Sequence, residues 1–188
     1  MLVTNILWMS KADTRRRLLA AALELSAAKG FDATTAAEIA ARAGVSEMTF
    51  FRHFPTKAAV LVDDPYDPLI AEAIARRPAD EGPWQATVRG IADAWRAVEQ
   101  PDAAAVRERL AVVASTPSLR SALADGSAAT VSAIREALEG RGIAPHEASV
   151  IAASVVAGLN EALLLWASSQ AGDLGAAIRD ALDVLGGR

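Results

Sequence analysis

Gly30–Leu61 reads GFDATTAAEIAARAGVSEMTFFRHFPTKAAVL, and the caps inside it set the fold of this end of the chain. Thr35-Ala-Ala-Glu38 is a capping box, in which hydroxyl and carboxylate each satisfy a free backbone N–H, so a helix runs from Thr35 to about Arg42. Gly44 allows a sharp turn. Ser46 caps a third helix, Ser46 to His53, with Val45 and Phe50 forming a hydrophobic staple across the cap. Pro55 ends that helix, and Thr56 caps a fourth. Two short helices joined by a tight Ala43-Gly44-Val45 turn form a helix-turn-helix. In such units the second helix enters the DNA major groove while the first crosses the backbone. Thr35, Ser46 and Thr56 start three successive helices, whose N-termini attract phosphate.

Upstream, a helix reads from Asp13 to Lys29 with an apolar stripe of Leu18, Leu19, Ala22, Leu23 and Leu25, and stops at Gly30. Its start, Lys11 to Arg17, is basic. Downstream, the fourth helix is expected to continue to about Arg77, bent near Asp63–Pro68, where prolines remove backbone donors. Arg76–Pro83 is a loop. Further helices are expected near 83–99, 102–115, 118–139, 145–169 and 173–186, with breaks at Gln100-Pro101, Thr116-Pro117, Gly140–Gly142 and Ala171-Gly172. No alternating strand pattern occurs, so the fold class is all-α, with about nine helices.

Composition and charge narrow the function. The 188 residues are 52% hydrophobic and 22% charged, a globular balance that buries a core without metal or disulfide help. Cysteine is absent, which excludes disulfide scaffolds, Cys–zinc sites, iron–sulfur ligation and thiol nucleophiles. His53 and His146 are the two histidines, and no carboxylate constellation flanks them, so neither a metal site nor a cofactor is expected. No nucleophile–base pair or phosphate-binding glycine loop argues for an enzyme. The net charge of −4 disguises an asymmetry. Residues 1–57 carry eight Lys/Arg against five acids, and residues 58–188 carry eleven against eighteen. A basic head on an acidic body points to an anionic partner at one end. Leu2–Met9 is apolar but short, with no basic residue before it, which makes a poor signal peptide; Met9 can serve as the start. Ala148–Ser169 is long enough to span a bilayer, but Asn160 and Glu161 lie inside it, so a buried helix of a non-membrane, cytoplasmic protein is expected.

The segment resembles the DNA-binding domain of the TetR/AcrR family of bacterial transcriptional regulators. Gly30, Phe31, Thr34, Thr35, Ile39, Ala40, Ala43, Gly44, Val45, Ser46, Thr49, His53, Phe54 and Lys57 carry the resemblance at fixed spacing. It implies an all-helical homodimer with a helix-turn-helix domain over residues 1–57 and a ligand-binding and dimerisation domain over 58–188. A small-molecule effector would release the head from a palindromic double-stranded operator. It also assigns Thr49, His53 and Lys57 to phosphate, contacts that orient without reading sequence. Where the family has tyrosine this chain has Phe51, which cannot donate to phosphate but can touch sugar or a thymine methyl. Glu47, Met48 and Arg52 lie on the outward face, suited to cytosine N4, a thymine methyl, and guanine or phosphate; Glu47 equally suits the helix dipole in the first turn. Phe50 and Phe54 read as core. Asp64–Ile70 and Ser115–Arg120 resemble one actinobacterial-type branch of the family.

In the body, a pocket is expected among the helices near 56–77, 83–99, 102–139 and 145–169. Trp95, Arg109, Asn160 and Trp166 are its candidate lining. The helix 145–169 is apolar nearly all round, so its own subunit and a partner are both expected to cover it. Val155, Gly158, Leu159, Ala162, Ile178 and Leu182 are the candidate dimer contacts. The leading function is a ligand-responsive repressor. The alternatives are a transcriptional activator, or a small-molecule-binding protein that no longer binds operator DNA, which the Phe51 departure favours. The fourth helix and its Asp63–Pro68 bend are the expected link between pocket and head.

Overall fold

The computed structural model describes residues 11–63, 67–97, 101–169 and 172–187. Among them the chain is helical, with no strand, and falls into two units divided between Leu61 and Val62.

The first unit holds α1 (Lys11–Lys29), α2 (Ala36–Arg42), α3 (Glu47–His53) and the start of α4 (Ala59–Val62). Leu18, Ala22, Phe31, Ile39, Phe50, Phe54 and Leu61 form its core. The buried stripe of α1 is Thr14, Leu18, Ala21, Ala22, Leu23 and Ser26, while Leu19 and Leu25 are only half-buried. Ser26 is accommodated because its hydroxyl donates to the Ala22 carbonyl at 2.6 Å.

The fourth helix departs from expectation. It is a single turn, Ala59–Val62, rather than a rod to Arg77. The Thr56 hydroxyl accepts from the Ala59 N–H at 3.1 Å, so the cap is real. A separate helix, α5 (Asp67–Ala75), carries the remainder. Pro65 lies outside the described residues, as do residues 64 and 66, half of the expected bend.

The second unit adds α6 (Pro83–Ala97), α7 (Ala103–Ser115), α8 (Pro117–Gly126), α9 (Ala128–Gly140), α10 (Pro145–Ser168) and α11 (Leu174–Leu185). α10 packs on α6, α7, α9 and α11, and α5 packs on α6 and α9. By length and composition α10 qualifies as a membrane span, yet Ala148, Ile151, Ala152, Val155, Val156, Leu164, Trp166 and Ala167 on it are buried within the chain. Gly90 lets α5 and α6 approach closely: a Cβ there would lie 2.6 Å from Ile74 Cγ1 and 2.9 Å from the Ile74 backbone.

The single helix expected over 118–139 is two. Ser127 breaks it; its hydroxyl donates to the Leu123 carbonyl at 2.7 Å and accepts from Asn160 Nδ2 at 2.9 Å. The count therefore rises from about nine to eleven among the described residues. Arginines tie down the loops. Arg141 donates to the carbonyls of Arg77, Pro78 and Glu81 at 2.6, 2.8 and 3.3 Å. Arg77 and Arg89 pair with Glu81, whose carboxyl they hold down to about 2. Arg107 donates to the carbonyls of Trp166, Ser169 and Gly172, closing the C-terminal end of α10, and stacks 4.0 Å over the Trp166 ring.

Candidate nucleic-acid interface

The helix-turn-helix is built from satisfied backbone. At the start of α2 the Thr35 N–H donates to Glu38 Oε2 at 2.8 Å, and the Glu38 N–H donates to Thr35 Oγ1 at 3.2 Å. Lys29 Nζ donates to Glu38 Oε1 at 2.6 Å. The Lys29 and Thr35 bonds hold the Glu38 carboxyl at about 2. At the end of α2, Gly44 takes φ +68° and the Val45 N–H donates to the Ala40 carbonyl at 2.9 Å, which aims the chain into α3. Ser46 then caps α3, accepting from the Thr49 N–H at 3.2 Å, and its hydroxyl meets the Thr49 hydroxyl at 3.0 Å.

Two arginines of α1 fasten this unit, and their role is not written in local sequence. Arg17 donates to the Ala43 carbonyl at the end of α2. Arg15 donates to the His53 carbonyl at the end of α3 at 2.7 Å, and its guanidinium lies 4.1 Å over the Phe54 ring. Both place a cation against orphan carbonyls at a helix C-terminus, where charge and dipole agree. The basic start of α1 is thus in part internal structure. Lys57 also faces inward: its ammonium donates to the carbonyls of Phe31 and Thr34 at 3.0 and 2.8 Å and sits 4.3 Å from the Phe31 ring.

α3 divides cleanly. Phe50 is fully buried, with Phe54 beside it at 5.8 Å between ring centroids. Glu47, Met48, Phe51 and Arg52 point outward; Met48 is 81% and Phe51 47% exposed. Phe51 leans edge-on against Phe50 at 5.3 Å. Glu47 and Arg52 form no ion pair among the described residues, whereas Arg42 pairs with Glu24 and Arg16 with Asp13. His53 is half-buried, with Nδ1 enclosed and unpartnered. Burial, then Arg52, Arg15 and Lys11, push its pKa below 6.5, so the imidazole is neutral at pH 7.

In the body the four candidate ligand residues take separate surroundings. Trp95 lines a pocket of about 460 Å³ between α6, the start of α7 and α11, with Arg96, Pro101, Leu174, Ile178 and Arg179. Arg109 donates to the Asp63 carbonyl at 3.2 Å, Asn160 to Ser127, and the Trp166 indole to the Gly172 carbonyl at 3.1 Å. The candidate dimer residues also sort by burial. Val155, Ile178 and Leu182 are buried within their own chain, the last two lining the Trp95 pocket. Gly158, Leu159 and Ala162 are half-buried, and Gly158 is filled from the same chain, since a Cβ there would lie 2.8 Å from the Leu185 side chain. The exposed face of α10 carries Val150, Ala153, Ser154, Ala157, Glu161, Leu165 and Ser168, with Glu161 paired to Arg120 at 3.1 Å.

Residues 18–63 match the family described as bacterial regulatory proteins, tetR family. The HTH-type transcriptional regulator TcmR of Streptomyces glaucescens is 34% identical over 143 residues, which is 67% of this chain and 62% of TcmR. YvkB of Bacillus subtilis (strain 168), an uncharacterized HTH-type transcriptional regulator, is 52% identical over 44 residues, 23% of each chain. The chain thus spans 62% of the length of the first relative and 23% of the second. A solved TetR-family regulator from Streptomyces coelicolor A3 shares the fold, with a TM-score of 0.52 and 22% identity over 92% of both chains.

Proposed function

We propose that this chain, whose residues 18–63 match the tetR family of bacterial regulatory proteins, is a ligand-responsive DNA-binding transcriptional repressor. It acts in the cytoplasm as a homodimer on a palindromic operator and leaves it when a small molecule binds the body. The observation that carries this reading is the outward face of α3. Met48, Phe51 and Arg52 are offered to solvent on a short helix whose two ends are fastened by Ser46 and Arg15. A large apolar pair beside the outward Arg52 guanidinium suits the major groove, where apolar contacts and guanidinium bonds read base edges.

The remaining residues position the helix. Thr35, Ser46 and Thr49 present hydroxyls beside helix starts, for phosphate contacts. His53, neutral with Nδ1 lacking an acceptor, donates to phosphate from Nε2. Lys57 acts through its charge, its hydrogens being directed at carbonyls of the α1–α2 loop. The exposed face of Val150, Ala153, Ala157 and Leu165, with the Arg120-paired Glu161 within it, serves the dimer, and the Trp95 pocket is the first place to seek an effector. The test is binding of the purified chain to the intergenic DNA beside its gene, by mobility shift with unrelated competitor, followed by sedimentation and an effector screen by thermal shift. A retarded complex that survives competitor is expected. Equal binding to all duplexes, or none, refutes the proposal.

A further inference from the structure

The outward face of α3 carries little that can hydrogen-bond at its middle. Of its four outward side chains two are apolar, and these occupy the middle: Met48 and Phe51, flanked by Glu47 and Arg52. Phe51 has no donor or acceptor for a base edge, and Met48 has only its weakly accepting thioether sulfur. Docked against cytosine N4, adenine N6 or guanine O6, they would strip water from a polar group and return little, which is costly. Among the base edges of the major groove, the thymine C5-methyl is the largest apolar target. Phe51 is also a fixed reader, because its ring rests edge-on against the buried Phe50 at 5.3 Å and 82°, whereas Met48 is unbranched and adapts. Residues three apart share a helix face, about 5–6 Å between Cβ atoms, and neighbouring bases on a strand rise about 3.4 Å. One face therefore reaches methyls one to two base pairs apart.

Resting on the operator-binding reading, we propose that Met48 and Phe51 form an apolar reading pair that selects thymine methyl groups at one or two adjacent positions of each operator half-site. Sequence discrimination there comes from burying methyl groups and from refusing polar edges, with Glu47 and Arg52 reading or neutralising at the borders.

The experiment begins by selecting bound duplexes from a random double-stranded library with the full chain. The consensus is then resynthesised with each thymine replaced in turn by uracil, which removes only the methyl and keeps O4 and the pairing. Affinities are read by fluorescence anisotropy at fixed salt. Uracil at the contacted positions is expected to weaken binding about fourfold per methyl and elsewhere to change nothing. Met48→Ala should abolish the uracil penalty at one position and Phe51→Ala at the neighbouring one, with folding checked by circular dichroism. Phe51→Tyr, which keeps the ring, should retain its penalty and guards against a folding artefact. A consensus bound equally well with uracil throughout, or lacking thymine at the half-site centre, overturns the methyl reading while leaving operator binding in place. A selection that enriches no sequence overturns both.

Discussion

Gly44→Ala, set beside Gly30→Ala, measures how firmly Arg17 holds the turn between α2 and α3. Both glycines have positive φ, +84° at Gly30 and +68° at Gly44, so alanine at either incurs left-handed strain of about 1–2 kcal/mol, partly offset by about 0.4–1 kcal/mol from the stiffer unfolded chain. There the resemblance ends. A Cβ at Gly30 meets nothing within 4 Å, but at Gly44 it lies 2.7 Å from Arg17 Nη2. The guanidinium must swing away and release the Ala43 carbonyl. A bond to a charged donor is worth about 1.5–3 kcal/mol, and because Arg17 is half-exposed, water restores part of this, leaving a loss of about 1 kcal/mol. Gly30→Ala should thus cost about 1 kcal/mol and Gly44→Ala about 2 kcal/mol. Hydrogen exchange at the amides of α2 and α3 reads the opening free energy of the head by itself. In an Arg17→Ala background the two glycine substitutions should cost the same. Equal costs in the parent, or an excess that persists without Arg17, would refute the clamp.

Gly90→Ala gains about 1 kcal/mol of helix propensity but drives a methyl into the Ile74 backbone. Overpacking of about 1–3 kcal/mol, at its upper end against main chain, should leave the body less stable in urea by tryptophan fluorescence; an unchanged midpoint would contradict the close α5–α6 approach. His53 binds its proton less readily folded than unfolded, so head stability should be fully present above pH 6.5 and fall as pH drops below it. His53→Gln should remove that dependence in paired denaturation curves at pH 7.5 and 5.5. Glu38, held at about 2 against 4.5 unfolded, should support α2 above pH 4.5 and lose that support as pH falls toward 2, a loss absent from Glu38→Gln in hydrogen exchange. Arg52→Ala should reduce the slope of log affinity against log salt by about one if Arg52 meets phosphate, measured on the selected duplex.

The caps made the head legible. Thr35-Ala-Ala-Glu38 and Ser46 act within four residues of themselves, and the structure returns both helices where those residues place them. What stayed hidden depends on distant partners. Arg15 and Arg17 read as a basic arm because the carbonyls they hold lie 38 and 26 residues away. The break at Ser127 has a local cue in Asp125-Gly126-Ser127 that helical periodicity over 118–139 outweighs, and Asn160, 33 residues on, adds a bond to the Ser127 hydroxyl. The phase of α10 is carried by its few polar residues, since Glu147, Ser154, Glu161 and Ser168 recur every seven positions and are exposed while Ile151 and Val155 are buried; the apolar majority masks that signal. The short α4 escaped for another reason: a proline-rich bend was expected inside one helix, where the chain ends one helix and starts another.

The arginine clamps grip main-chain carbonyls, and the core beneath α3 uses Phe50 and Phe54. Glu47, Met48 and Arg52 therefore contribute almost nothing to holding the head together. Any residue compatible with a helix can replace them at little expense in stability. On the operator-binding proposal, base preference and folding are thereby uncoupled in this chain. A duplicated gene can drift to a new binding sequence through these positions without first acquiring compensating mutations, and the same freedom makes them the natural sites for a combinatorial library aimed at redirected operators.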